Sequence, residues 1–105
     1  MRIPLDESLP RPLGRLLIGH DVSTVAGEGW TSLTNGAPLR QAAERFDVLL
    51  TADQNIEFQQ NLAKLPLAIV LVADSNRFES LEPLVPHVLE ALRSLKPRTL
   101  LRVGA

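Results

Sequence analysis

The sequence predicts an α/β fold, in three layers around a mostly parallel sheet of about five strands. Three observations point to it. Five short apolar runs, at 2–5, 21–25, 47–51, 67–72 and 99–103, alternate with segments of helical spacing. Some runs, such as "LAIVLVA" from Leu67, lack the polar alternation of a half-exposed strand and fit strands buried on both faces. Nothing in the 105 residues is repetitive, low in complexity or linker-like, so 1–105 reads as a single domain.

The elements follow in order. The first strand, 2–5, contains Pro4, which lacks a ladder donor and conflicts with a central position. Leu9, Leu13, Leu16 and Leu17 then share one helical face, with Arg11 and Arg15 outside it. The second strand is 21–25. Asn35 is a suitable N-cap for a helix over 36–45, with Leu39, Ala42, Ala43 and Phe46 turned inward. After the third strand, 47–51, a short helix covers 56–63, and Pro66 stops it. The fourth strand is 67–72. Asn76 and Glu79 have capping-box spacing, so a helical region begins near Arg77. Pro83 and Pro86 bend or break it before it ends near Leu95. Its core face is Leu81, Leu84, Val85, Val88, Leu89, Leu92 and Leu95, and the last strand is 99–103.

Composition removes several kinds of chemistry. There is no cysteine, hence no disulfide, thiol nucleophile or cysteine-ligated metal. His20 and His87 are too far apart for a histidine metal motif. A metal would need oxygen ligands, which favours magnesium, manganese or calcium. Gly27 and Gly29 do not make a phosphate-binding fingerprint, and "DESLP" after the first strand has no glycine, so dinucleotide binding is disfavoured. The opening "MRIPLDES" is charged at once, unlike a signal peptide, and the longest apolar run, 65–73, is too short to span a membrane. The expectation is a cytoplasmic protein with no membrane partner. A net charge of −1 gives no global basic field for nucleic acid.

In open parallel sheets, sites form beyond the carboxyl ends of the strands. Asp6 and Glu7 follow the first run, Asp53 the third, and Asp74 the fourth, with Asn35 delivered by the loop after the second. Taken singly, Asp6 and Asp53 are explained as caps of the segments that follow them. Taken together they form an acidic pair that needs a cation or a proton between them. Magnesium would meet that need, orienting and acidifying a water and neutralising a phosphate.

The segments "MRIPLDESLPRPLGRLLIGHDVSTV", "GW" and "NGAPLRQAAERFDVLLTADQNIEFQQNL" resemble short PIN-like domains related to toxin-type ribonucleases, over nearly the whole chain. The marks are "LDE-LP", "GHDV" and "VLLTAD". The resemblance implies a PIN-like, Rossmann-like three-layer sandwich. It also implies RNA hydrolysis with magnesium or manganese, an antitoxin protein as partner, and a homodimer. By position, Asp6 and Asp53 match metal-binding aspartates and Glu7 an acidic neighbour. Asn35 and Asn55 stand where the family commonly has carboxylates, each keeping an oxygen ligand and losing a charge.

The leading expectation is therefore a metal-dependent ribonuclease, the toxin of a toxin–antitoxin pair. Asp6, Asp53 and Glu7 would be its catalytic residues, and Asp6, Asp53, Asn35 and Asn55 its metal ligands. The alternative is a catalytically weakened domain that binds RNA or protein without cutting. A phosphorylated receiver-like domain fits less well, because "ADQNIEF" lacks a proline-bearing stretch and no lysine follows the fifth strand. Trp30 either pins its loop or stacks on a base. The cluster Arg93, Lys96, Arg98 and Arg102 is either a solvated helix end or a contact for phosphates or an acidic partner.

Overall fold

The computed structural model describes residues 2–24, 43–53, 67–72 and 77–104. Its five strands are β1 (Arg2–Leu5), β2 (Asp21–Thr24), β3 (Val48–Thr51), β4 (Ala68–Val72) and β5 (Leu100–Val103). All adjacent strands pair in parallel, in the order β2-β1-β3-β4-β5. The expected α/β class and parallel sheet are present, and each strand lies within its apolar run.

Side chains that alternate along β3 and β4 pack into two clusters. Val48 and Leu50 join Ala68, Val70 and Val72 on one face, with Ile3, Leu5, Leu13, Leu81, Val88 and Leu92. Leu49 joins Ile69 and Leu71 on the other, with Phe46 and Leu67. Every residue of β3 and β4 is buried. Both faces of the sheet centre are therefore covered, as the unbroken apolar runs require.

Pro4 is tolerated for a specific reason. Alternate residues of a parallel strand donate to opposite neighbours. Asp6 N–H donates to the Leu50 carbonyl of β3 at 2.9 Å. The N–H that Pro4 lacks, two residues earlier, would thus also face β3. Its loss leaves the β1–β2 pairing intact over four residue pairs, whereas β1 and β3 register only at Leu5 and Leu50. At the start of both strands Asp47 N–H donates to the Arg2 carbonyl at 3.0 Å, and Arg2 N–H donates to Asp47 Oδ2 at 2.7 Å. The two strands are held at each end, with the proline between.

The first helical segment is a 3-10 helix, Arg11–Leu16, rather than a longer α-helix. Pro10 and Pro12 remove two donors and Gly14 is a weak helix former, so the tighter turn wins. The expected face is still used: Leu9, Leu13 and Leu17 are buried and Leu16 packs against them. Gly14 is required by close approach, since a Cβ there would lie 2.9 Å from Val22 Cγ1 on β2.

The late helical region breaks as its prolines demand. It consists of α1 (Phe78–Leu81), a 3-10 turn (Glu82–Leu84) and α2 (Val85–Ser94). Pro83 lies in the 3-10 turn, and Pro86 in the first turn of α2, where a missing N–H breaks no helical bond. The N-cap of α1 is Arg77, with no side-chain cap bond; Asn76, the expected cap, lies outside the described residues. So do the helix expected over 56–63 and most of that over 36–45. The last three residues of the latter, 43–45, form a turn. Among the described residues no helix is long and apolar enough to cross a membrane.

Candidate functional site

The chain passes from β1 to β2 on one side, then crosses to β3 on the other side of β1. This reversal opens a crevice at the carboxyl ends of β1 and β3. Register between Leu5 and Leu50 sets the next residues, Asp6 and Thr51, side by side. Thr51 is fully buried and Asp6 is only 4% exposed.

A small polar network fills this point. Asp6 Oδ2 accepts from Ser8 Oγ at 2.7 Å, from Thr51 Oγ1 at 3.1 Å and from Ser8 N–H at 3.3 Å. Ala52 N–H donates to Ser8 Oγ at 3.0 Å, and Asp53 N–H donates to Thr51 Oγ1 at 3.0 Å. Each hydroxyl has a single proton, and both are directed at Asp6. The 3.3 Å approach of Ser8 Oγ to Thr51 Oγ1 therefore adds no further bond in that arrangement. The result ties the end of β1 to the end of β3 through one carboxylate oxygen.

The other oxygen is unused. Asp6 Oδ1 is buried and has no hydrogen-bond partner among the described residues. A buried acceptor left unpaired costs about 1–3 kcal/mol, and more when charged. The network fixes the carboxylate from its Oδ2 side, so rotation cannot relieve Oδ1 without breaking three bonds. Such an oxygen suits a hard cation, which takes oxygen ligands and offsets the buried charge.

Asp53 is half-buried, and its backbone is two hydrogen bonds from the Asp6 carboxylate, through Thr51. Glu7 is exposed in the turn after β1 and is not part of the network. Among the described residues, no group of three or more histidine, aspartate and glutamate side chains is placed to hold a metal. Asn35, Asn55, Glu28, Glu57, Asp74, Ser75 and Trp30 lie outside the described residues.

Ser8 escaped the sequence reading, although its signal is short-range. In "DES" a hydroxyl stands two residues after an aspartate, the spacing of a local side-chain turn. His20 lies at the far end of the sheet from Asp6, where its N–H donates to the Leu17 carbonyl at 3.3 Å. Burial, and secondarily the positive chain start, hold its pKa below the ordinary 6.5. The unfolded chain therefore takes up the proton first as pH falls. Stability should be greatest above the ordinary histidine range and decline slightly on acidification through about pH 6.5. Urea unfolding of wild type and His20→Gln across that range checks this: the variant should lack the decline.

Comparison with known proteins returns no matching family, no matching curated protein and no matching solved structure.

Proposed function

We propose that this domain is a divalent-metal-dependent ribonuclease working at the carboxyl edge of β1 and β3. The observation that supports it most is Asp6 Oδ1: a buried carboxylate oxygen at the strand-order reversal with no hydrogen-bond partner among the described residues. Asp6 Oδ1 and the Asp53 carboxylate would hold magnesium or manganese, with the amide oxygens of Asn35 and Asn55 as further ligands. When bound, the ion supplies a more acidic water and neutralises phosphate charge. Ser8 and Thr51 hold Asp6 in one orientation, as partners of metal ligands commonly do. In the toxin–antitoxin setting that the sequence resemblance implies, the partners are an RNA strand, an antitoxin protein and a second copy of the chain.

The test is hydrolysis of single-stranded RNA with magnesium or manganese. Asp6→Asn should lower the rate by about 100-fold or more, because several kcal/mol of charge stabilisation leave with the ligand. Equal rates from wild type and variant would overturn the proposal.

A second reading has its own observation. Asp6 Oδ2 is fully employed in joining two strands, and three gathered carboxylates are lacking among the described residues. This fits a domain that holds RNA or a protein without cutting. Retention of unbroken RNA in the same assay would favour it.

A further inference from the structure

We propose that the opposite, amino-terminal edge of the sheet has a second site, which binds a small organic anion through Lys96 and Arg98 over an apolar floor. A cavity of about 420 Å³ lies there, between the start of β3 and β4 and the loop before β5. That volume is at the lower end of small-molecule sites. Phe46, Leu67 and Leu95 give the apolar lining, and Lys96, Arg98 and Asp47 the charges.

The local field is positive. Lys96 and Arg98 are exposed and form no ion pair among the described residues. The guanidinium carbons of Arg2 and Arg45 stand 5.5 and 5.6 Å from the centroid of the Phe46 ring and add to it. Among the described residues, the carboxylates that stand against these four cations are Asp47, already engaged with Arg2 N–H, the exposed Glu44, and Asp21, which registers with Arg2 at the start of β2. Anions that reach this edge meet an excess of donors with fixed charge.

The loop that presents them is preset. Thr99 Oγ1 donates to the Lys96 carbonyl at 2.7 Å, and Ile69 N–H of β4 donates to the Thr99 carbonyl at 2.8 Å. Between them Arg98 adopts φ 58°, in the left-handed region that favours glycine. An arginine held there, where glycine would sit without strain, points to a use for its side chain. The class of ligand follows from the lining. Among the described residues its polar side chains are the charged Asp47, Lys96 and Arg98. Two cations beside an apolar floor match a carboxylate or phosphate head on a flat apolar body.

The experiment is calorimetric titration with naphthoate, naphthyl phosphate, neutral naphthylmethanol and inorganic phosphate. At least one naphthyl anion should bind saturably, and the alcohol at least about tenfold more weakly. Preference for naphthoate would assign a carboxylate ligand, and preference for naphthyl phosphate a phosphate ester. Inorganic phosphate alone should bind more weakly than the better anion, lacking the apolar body. Arg98→Gly should lose at least about tenfold in affinity while its Tm stays equal or rises, since glycine relieves the left-handed backbone. Lys96→Gln should lose affinity as well. Asp6→Asn, at the other edge, should bind as wild type does. Saturation by neither anion, equal binding of the alcohol, or wild-type affinity in Arg98→Gly would overturn the proposal.

Discussion

Asp6→Ala is expected to destabilise the domain by about 2–4 kcal/mol in the presence of a chelator, and to abolish divalent-cation binding. The stability loss comes from the groups left behind. Ser8 Oγ and Thr51 Oγ1 both direct their protons at Oδ2, Ser8 N–H does so at longer range, and Thr51 is fully buried. None regains water easily once the carboxylate is gone. Part of that loss is offset, because the unpaired Oδ1 leaves too. Asp6→Asn separates these terms. Its amide oxygen can accept in place of Oδ2, while the buried charge disappears. Without divalent ions it should be close to wild type in stability, and it should still fail to bind them. Chemical denaturation of the three proteins in chelator checks the ranking; an alanine variant as stable as wild type would show that the network contributes little.

The second large effect is expected at the sheet centre. Leu50→Ala should cost about 3–4 kcal/mol, a large share of the roughly 5–15 kcal/mol that holds an ordinary domain together. Leu50 is fully buried and packs in the larger cluster with Leu5 and Val70. Its backbone also sets the only register point between β1 and β3, and its carbonyl accepts from Asp6 N–H. A cavity beneath that point loosens the site as well as the core. Thermal unfolding should show a fall in Tm of more than about 10 °C, and cation affinity should weaken in the variant. A Tm within a few degrees of wild type would mean that the core closes over the gap.

How much was legible follows from the range of each interaction. The strands were readable because β3 and β4 are buried on both faces and so are apolar apart from Thr51 at the end of β3. Pro83 and Pro86 announced the break between α1 and α2, because the cost of proline is local. The first helical segment was legible from its leucine spacing; its 3-10 form follows from Pro10, Pro12 and Gly14, which oppose an α-helix. Pro4 looked like an obstacle because a sequence does not state which neighbour each N–H faces. The structure shows that the missing donor falls on the β3 side, between two points that hold the strands together.

At the site, Asp6 and Asp53 were legible from their places after apolar runs. That Asp6 is divided between a saturated and an unpartnered oxygen was not, because Thr51 reaches it across 45 residues of sequence. Arg98 was visible as a charge in a basic cluster, but its left-handed backbone and the cavity beside it depend on how the loop returns to β5.

The most direct measurement is titration of manganese and magnesium into wild type, Asp6→Asn and Asp53→Asn, following heat and Tm together. The account predicts saturable binding by wild type, with stabilisation of about 2.7 kcal/mol when the free ion reaches about 100 times its Kd. Asp6→Asn should give neither heat nor a Tm shift, and Asp53→Asn should bind much more weakly. Absence of heat and of a Tm shift in wild type, or equal binding by all three proteins, would contradict it: the unpaired oxygen of Asp6 would then be no ligand, and the carboxylate only a clasp between two strands.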